Sequence, residues 1–107
     1  MNINQPYEII YDPETMQQLV VIERKHYSLI RTTITEQLSY NPNIETRNRK
    51  PLSRPSVFGT AWELRFGPNN RFRVLYRTFV EIREVHILAI GIKTGSHLFI
   101  GGEEFEL

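Results

Sequence analysis

The sequence predicts an α+β domain in which a curved, mostly antiparallel sheet carries an N-terminal helical hairpin on one face. In the first third of the chain, apolar residues recur at intervals of three and four, which is helical spacing; from residue 62 onward they alternate, which is strand spacing. A chain of 107 residues with 40% hydrophobic residues has the size of one domain and can bury a core without disulfides or metals. We therefore expect a single domain over residues 1–107 with the order β-α-α-β-β-β.

The first strand is predicted over Tyr7–Tyr11, a β-prone apolar run. The residues that follow, Asp12, Pro13 and Glu14, are typical of a helix start. Asp12 can cap free backbone N–H groups, proline fits the first helical position, and Glu14 suits the positive end of the helix dipole. A helix is therefore expected to begin next to the first strand.

Residues 14–41 contain neither glycine nor proline, and we expect two helices here. The apolar stripe consists of Met16, Leu19, Val20, Tyr27, Ile30, Ile34 and Leu38. The polar run 23–26 interrupts this stripe, which favours a helical hairpin with its break near these residues. One long helix is the alternative, but it would have no partner of comparable length to cover its apolar face. Asn41 and Pro42 end the helical region.

Residues 43–60 are predicted to form a long polar loop, a feature that is usually functional or mobile in a small domain. An antiparallel hairpin follows: Trp62–Phe66 and Phe72–Arg77 alternate around the turn residues 67–70. After a second turn over residues 81–84, Val85–Ile92 is nearly all apolar and suits a central strand covered on both faces. Residues 97–100 can add a short last strand, and the glutamates of the 103–106 tail are expected to be solvated.

Composition excludes several classes of protein. Cysteine is absent, so disulfides, thiolate nucleophiles and cysteine-ligated zinc are excluded. The longest apolar runs have about four residues, far fewer than the roughly 20 of a membrane span. Residues 1–10 have no basic segment before a long apolar stretch, so we expect no signal peptide, a cytoplasmic location and no membrane partner. The histidines, His26, His86 and His97, share no metal-ligand spacing, so no metal and no cofactor are expected.

The net charge of +1 hides an uneven distribution. Residues 1–45 and 78–107 each carry a net charge of −3, whereas residues 46–77 hold eight basic residues and one acidic residue, a net charge of +7. The basic residues of this segment are Arg47, Arg49, Lys50, Arg54, Arg65, Arg71, Arg73 and Arg77. Arginine is well shaped for bidentate contacts with phosphate. The alternative interpretation is a solvated charged surface.

Strand alternation places Arg65, Arg73 and Arg77 on one face of the predicted hairpin. Like charges on neighbouring strands repel unless an anion lies between them, which favours a phosphate ligand. Glu63 is expected on the same face, and salt bridging to it is the alternative. His97, after the turn at residues 93–96, could act as an acid or base near neutral pH, or could be an ordinary exposed histidine. His86 is expected to be structural.

The segment order and the runs WELRFGPNNRFRVLYR, VHILAIGIK and LFIGGEE resemble toxins of the RelE/ParE superfamily, from bacterial toxin–antitoxin pairs. The resemblance covers nearly the whole chain and is strongest between residues 50 and 104. It implies a small β-α-α-β-β-β toxin that cleaves mRNA in the ribosomal A site without a metal. It also implies a cognate antitoxin, which wraps the toxin and joins it in repressing promoter DNA.

By position, the resemblance assigns the family's basic residue of the second strand to Arg65, its scissile-phosphate arginine to Arg73 and the basic residue closing the fourth strand to Lys93. Glu63 stands where relatives have a basic residue, and Phe99 stands where many ribonuclease members have a catalytic tyrosine. We therefore expect Arg65, Arg73 and Lys93 to supply positive charge, and His97 or Glu63 to transfer protons. The remaining basic residues expected to bind RNA phosphates are Arg47, Arg49, Lys50, Arg54, Arg71 and Arg77.

Two other functions remain open at this point. The ParE branch shares the fold but inhibits DNA gyrase, and Glu63 and Phe99, in place of the expected catalytic residue types, favour such a non-enzymatic inhibitor. The third possibility is an inactive protein with the toxin fold that only binds its antitoxin.

Overall fold

The computed structural model describes residues 5–53, 59 and 61–106 and confirms an α+β fold. The described elements are β1 (Glu8–Tyr11), α1 (Glu14–Val20), a 3₁₀ turn (Arg24–His26), α2 (Tyr27–Leu38), β2 (Arg49–Pro51), β3 (Trp62–Phe66), a 3₁₀ turn (Pro68–Asn70), β4 (Phe72–Phe79), β5 (Glu84–Thr94), β6 (His97–Ile100) and β7 (Glu103–Phe105).

The strands of the described chain form one mostly antiparallel sheet in the order β2-β3-β4-β5-β6-β7. β1 is the exception, because it pairs in parallel with the first residues of β5, from Glu84 to Ile87. β4 occupies one edge of β5, so β1 and β6 share the other edge, and β6 pairs only with residues 91–94. The long strand β5 is therefore the centre of the sheet.

Helix α1 covers the gap between β1 and β6 on that shared edge. The backbone N–H of Ile90 in the gap donates to Oε1 of Gln18 at 2.8 Å. At the start of the gap, the N–H of Asp12 donates to the carbonyl of Ile87 at 3.0 Å. Backbone groups that no strand pairs are thus satisfied from the helix side, which ties α1 to β5.

The two predicted helices are confirmed, with their break at residues 21–26. The start of α1 differs from the prediction in detail. The first-turn contacts run to the backbone carbonyl of Asp12 rather than to its side chain: the N–H of Thr15 donates to it at 2.9 Å and the hydroxyl of Thr15 at 2.7 Å. Neither described helix is long and apolar enough to cross a membrane.

The principal core lies between the helices and one face of the sheet. Its buried residues include Ile22, Ile30, Ile34 and Leu38 from the helical region and Leu64, Phe72, Val74, Tyr76, Val85, Ile87 and Ile90 from the strands. The stripe predicted for α1 is wrong at two positions, because Met16 and Val20 are 67% and 77% exposed. α1 instead turns Thr15, Leu19 and Gln18 toward the sheet.

A β-bulge in β5 changes which side chains face the helices. Leu75 pairs with Ala89, but the next residue, Tyr76, pairs with Ile87, so Leu88 is an extra residue in β5. Side chains alternate along a strand, and an inserted residue reverses the alternation beyond it. The bulge therefore places Lys93 on the same face as Arg73, because Arg73 pairs with Gly91, two residues before Lys93.

The opposite face of the sheet carries the arginines predicted for one face of the hairpin, but it also has a second apolar cluster. Leu75, Ala89, Leu98 and Ile100 form a second buried cluster there, against which Leu52 and Phe105 pack. Apolar side chains thus cover the middle of this face. Arg65, Arg73 and Lys93 lie at one end of it, Arg77 at the other, and Lys50 on the edge strand.

Two short edge strands lie where no strand was predicted. β2 falls inside the predicted loop 43–60 and pairs with β3, and β7 falls in the predicted solvated tail and pairs with β6. Each has three residues and is mostly polar, so neither carries an alternating apolar pattern that a sequence could reveal.

Candidate functional site

A basic cleft lies at the end of the sheet where the β3–β4 and β5–β6 turns meet. Its volume is about 490 Å³, and its lining includes the basic residues Arg71, Arg73 and Lys93. Pro68 and Asn69 from one turn and Thr94 and Gly95 from the other complete the lining. None of the described residues that line the cleft is acidic, so it is a suitable site for an anion.

A second depression, of about 470 Å³, shares Arg73 and Lys93 with the basic cleft. Its lining adds Glu63, Ser96, His97, Leu98 and the C-terminal residues Glu104, Phe105 and Glu106. Arg73 and Lys93 therefore stand between a basic cleft and a neighbouring depression with an acidic wall.

Arg65 and Arg73 face each other directly across β3 and β4, as the alternation predicted. The Nε atom of Arg65 is buried and has no hydrogen-bond partner in the described part of the chain. Arg65 does not line the basic cleft itself. Its positive charge nevertheless lies next to that of Arg73, which adds to the attraction for an anion.

Arg73 is held more tightly than the sequence predicted. Its Nη1 lies 3.3 Å from Oε2 of Glu63, and the two side chains are only 11% and 4% exposed. Its Nε donates to the carbonyl of Asn70 at 2.9 Å. The salt bridge to Glu63, which the sequence analysis gave as the alternative to a bound anion, is thus present, and it offsets part of the charge of Arg73 without removing Arg73 from the cleft lining.

The turn before β4 positions the carbonyl that Arg73 contacts. Gly67 has a φ of 82°, and Asn69 and Asn70 both adopt left-handed backbone conformations, with φ of 55° and 51°. Glycine and asparagine tolerate this region best, which explains their place in the turn. The sequence predicted the turn but did not show that Asn70 would fix a site arginine.

Arg71 and Lys93 are joined through the backbone. The N–H of Lys93 donates to the carbonyl of Arg71 at 2.7 Å. The guanidinium of Arg71 lies over the ring of Phe72, 5.3 Å from its centroid, which restrains the side chain at the mouth of the cleft. Arg71 was predicted as one of many phosphate contacts, whereas the structure gives it a central place.

His97 lies at the rim of the second depression. Alternation along β6 puts it on the side of Phe99, opposite to the buried Leu98. Its Nδ1 is 2.5 Å from Oε2 of Glu104, and both side chains are more than half exposed. An ionised carboxylate can only accept, so the neutral ring must carry its proton on Nδ1, which leaves Nε2 as the basic nitrogen.

Phe99 does not lie in the basic cleft. It pairs with Ile92 and lines a separate groove formed with α1. The resemblance therefore transfers the catalytic tyrosine to a position whose side chain stands apart from Glu63 and Arg73.

The other predicted phosphate-binding residues are dispersed. Arg49, predicted to bind RNA, is 8% exposed, and its Nη1 donates to the carbonyls of Gln37 at 2.6 Å and Asn41 at 2.7 Å, at the end of α2. Arg47 and Lys50 are exposed but do not line the cleft. Arg77 packs near Gly59, and Arg54 lies outside the described residues.

No group of three or more histidine, aspartate or glutamate side chains in the described ranges could hold a metal ion. His86, predicted to be structural, is half-buried; its Nε2 lies 2.9 Å from Glu84 and its ring packs 4.6 Å from that of Phe79. The residues that converge at the cleft are thus basic rather than metal-ligating.

Comparison with known proteins identifies the fold. No family model matches the sequence, and no curated protein sequence matches it significantly. Among solved structures, this chain is similar to a chain of the RelBE2 toxin–antitoxin complex of Mycobacterium tuberculosis, with a TM-score of 0.69 and 23% sequence identity. The match covers 84% of this chain and 94% of that chain. The sheet, the helical hairpin and this likeness together show that the chain has a RelE-like fold.

Proposed function

We propose that this protein is the toxin of a toxin–antitoxin pair and acts as a ribosome-dependent, metal-free mRNA endoribonuclease. The observation that carries the proposal is the convergence of Arg71, Arg73 and Lys93 on one cleft of a RelE-like fold. The similar structure is a toxin–antitoxin complex, which supports a cognate antitoxin as partner. Promoter DNA would be bound only through that antitoxin complex.

The cleft suits a phosphodiester because its charge is concentrated and partly fixed. Arg73 is oriented by Glu63 and Asn70, and Arg71 is restrained over Phe72. Donors held in place before the substrate arrives stabilise the charge of a transition state without a reorganisation cost. Arg73 and Lys93 would therefore neutralise the non-bridging oxygens of the scissile phosphate.

The proposed reaction is attack by a ribose 2′-oxygen on the adjacent phosphorus. The 2′-hydroxyl loses its proton to a base, the new O2′–P bond forms and the P–O5′ bond breaks. The products are a 2′,3′-cyclic phosphate and a 5′-hydroxyl, whose oxygen takes a proton from an acid. The protein must supply a base, an acid and positive charge for the pentavalent phosphorane.

His97 is the stronger candidate for proton transfer: alternation directs it to the face opposite to Lys93, but at the end of the sheet it lines the depression that also includes Arg73 and Lys93. Its Nε2 is free to accept a proton, since Glu104 engages Nδ1. Glu63 is buried against Arg73, so its role in the free protein is to orient that arginine, and it meets solvent less readily than His97. The ribosome would bring the mRNA to this end of the sheet.

Controlled induction in a bacterial host, with mapping of transcript ends, tests the proposal. We expect new 5′-hydroxyl ends within translated codons, and growth arrest. Lys93→Gln should reduce cleavage at least tenfold because it removes a cleft charge, while Arg31→Gln, the same kind of change at an exposed position of α2, should leave cleavage intact.

Intact transcripts during growth arrest would contradict the ribonuclease proposal. A simultaneous loss of plasmid supercoiling would indicate a gyrase inhibitor instead. Absence of any growth defect, with the protein folded and abundant, would indicate a protein that only binds its antitoxin.

A further inference from the structure

We propose that the C-terminal strand β7 belongs to an autoinhibitory strap, whose acidic side chains compete with RNA phosphates for Arg73 and Lys93. The inference rests on the proposed function and adds regulation of the same site to it. The strap consists of residues 103–106, which carry three glutamates in four positions. It contributes to the lining of the second depression, to which Arg73 and Lys93 also belong.

The strap brings negative charge close to the cations that the cleft offers to a phosphate. Glu104 and Glu106 line the depression on the side of the strap. Glu63 of β3 lines it as well and is already paired with Arg73 at 3.3 Å. Like charges repel, so RNA that approaches Arg73 and Lys93 from this side meets carboxylates first. A closed strap therefore weakens the binding of a phosphate chain that extends beyond the basic cleft.

Both a polar and an apolar contact hold the strap in place. Residues 103–105 pair with β6 in antiparallel register, with Phe105 directly opposite Leu98. The Nδ1 atom of His97 lies 2.5 Å from Oε2 of Glu104. Phe105 packs against the second buried cluster. The strap thus has a defined closed position beside the site.

Opening of the strap breaks few contacts. Its paired part has three residues, and the hydrogen bond to β6 joins two side chains that are more than half exposed, so it contributes little to stability. The other short edge strand, β2, is held by the buried Arg49. Gly101 and Gly102, with φ of 63° and 85°, form the turn before the strap and tolerate a wide range of backbone conformations. A phosphate chain can therefore displace the strap by rotation at this glycine pair.

The proposed chemistry does not require the strap to stay closed. Glu104 moves with the strap and releases Nδ1 of His97, so that either ring nitrogen can then exchange a proton. Arg73 keeps its contacts with Glu63 and Asn70, because neither residue belongs to the strap. The strap therefore controls access to the site and is not part of the catalytic machinery.

Because the sequence contains no cysteine, one engineered disulfide can lock the strap. Leu98→Cys and Phe105→Cys are introduced together; the two residues are directly opposite on β6 and β7, at a Cα separation that a disulfide can span. The oxidised form keeps the strap closed, whereas the reduced form has lost the Phe105 anchor. The two forms carry the same charges, so a difference between them reports the position of the strap.

The probe is hexathymidylate, a single-stranded DNA without the 2′-hydroxyl that cleavage requires. Its binding to the full chain is measured by fluorescence anisotropy at low salt. We expect the reduced form to bind the probe about fivefold more tightly than the oxidised form. The affinity of the unmodified protein should not respond to the reductant.

A second pair of substitutions tests the strap without altering the apolar cluster. Glu104→Gln combined with Glu106→Gln should raise the affinity about fivefold, because the two carboxylates that line the depression are removed. Glu8→Gln combined with Glu81→Gln is the matched control. It changes the net charge equally, at exposed positions near the end of β5 opposite to the cleft, and should raise the affinity less than about twofold.

Equal affinities of the oxidised and reduced forms, or equal effects of the two glutamate pairs, would overturn the strap and leave the phosphate cleft standing. Absence of binding by every protein at millimolar concentration would overturn the strap together with the phosphate cleft on which the proposed function depends. The two proposals therefore fail in different ways.

Discussion

Arg49 and Lys50 are adjacent basic residues with opposite roles. Arg49 pairs with Leu64 and is directed into the helix side of the sheet, whereas Lys50 pairs with Glu63 and is exposed. Composition treats both as members of the basic segment. Only the three-residue strand β2 separates them, because neighbouring side chains on a strand point to opposite faces.

Arg49→Ala should lower the free energy of unfolding by about 2–3 kcal/mol, because hydrogen bonds to a charged group contribute roughly 1.5–3 kcal/mol. The substitution removes the guanidinium that binds two carbonyls at the end of α2. Lys50→Ala should change stability by less than about 0.5 kcal/mol. Urea denaturation followed by circular dichroism measures both, and equal effects would contradict the structural role of Arg49.

The Glu63–Arg73 pair combines a structural and a functional role. Removing one partner of a buried ion pair strands the other, so Arg73→Ala perturbs folding as well as phosphate binding. Strand alternation predicts which face of the hairpin Arg73 occupies, but it does not predict that the side chain is buried. A loss of toxicity in that variant would therefore not identify a binding role.

A double-mutant cycle separates these effects. Glu63→Gln and Arg73→Met should each lower the free energy of unfolding by up to about 5 kcal/mol. The double variant should lose less than the sum of the two single losses, because no buried charge is left unpaired. Stability of the four proteins is measured by urea denaturation. Strict additivity of the two single losses would show that the side chains do not interact.

At the scale of single strands, the bulge in β5 determines that Lys93 belongs to the site. If the side chains of β5 alternated regularly from Val85 to Lys93, with no bulge at Leu88, Lys93 would share the face of Val85 and Ile87 and point toward the helices. The sequence predicted β5 as a continuous apolar strand, and such a run contains no alternation from which a bulge could be read. The resemblance placed Lys93 in the site, but only the structure shows how it gets there.

Gly91 is a second constraint on β5. A Cβ atom at this position would lie 2.5 Å from the carbonyl oxygen of Phe99 and 2.9 Å from the side chain of Ile100. Gly91→Ala should therefore push β6 away from β5 and cost about 1–3 kcal/mol. Hydrogen exchange should then accelerate at the amides of β6.

Gly95→Ala is the matched control. A Cβ atom there meets no atom within 4 Å, so only the positive φ of 61° penalises the substitution. Its cost should be about 1 kcal/mol, without faster exchange across β6. If Gly91→Ala leaves exchange in β6 unchanged, the close approach of the two strands is not a constraint.

The elements that the sequence predicted well are those whose pattern has a single cause. The β3–β4 hairpin follows from alternation and from the Gly67–Asn70 turn, and α2 follows from the spacing of Ile30, Ile34 and Leu38. The face of α1 that packs on the sheet was predicted wrongly, because it includes the polar residues Thr15 and Gln18, which form hydrogen bonds with backbone groups. A count of apolar residues cannot identify such a face.

At the scale of the whole molecule, the charge asymmetry describes the site only in part. The segment 46–77, with its net charge of +7, contains Arg49, which binds carbonyls at the end of α2, and Arg73, which is ion-paired with Glu63. It also contains exposed basic residues outside the cleft. Lys93, from the acidic third of the chain, completes the cleft. The site thus arises from folding two segments together at one end of the sheet, which a sum along the sequence cannot show.

Tyr76 links the sheet, the principal core and the chain after α2. Its ring is fully buried and stacks on Trp62 at 6.2 Å, and its hydroxyl donates to the carbonyl of Pro42 at 2.5 Å. Burial raises the pKa of Tyr76 well above its ordinary value, and the nearby positive charge of Arg49 offsets this only in part. The folded state therefore holds the proton of Tyr76 where the unfolded chain releases it.

The raised pKa of Tyr76 implies that the folded state becomes less stable at alkaline pH. A tyrosine in the unfolded chain titrates near pH 10, so above about pH 10 the folded state binds more protons than the unfolded state, and stability falls as pH rises. Tyr76 alone should contribute a slope of up to about 1.4 kcal/mol per pH unit.

Tyr76→Phe should be less stable by about 1 kcal/mol at pH 7, because the hydrogen bond to Pro42 is lost, yet its stability should decline less steeply between pH 10 and 11. Tyr40→Phe, at a position 53% exposed, should decline like the unmodified protein. Chemical denaturation across pH 7–11 measures all three slopes, and equal slopes for Tyr76→Phe and the unmodified protein would contradict a buried, protonated Tyr76.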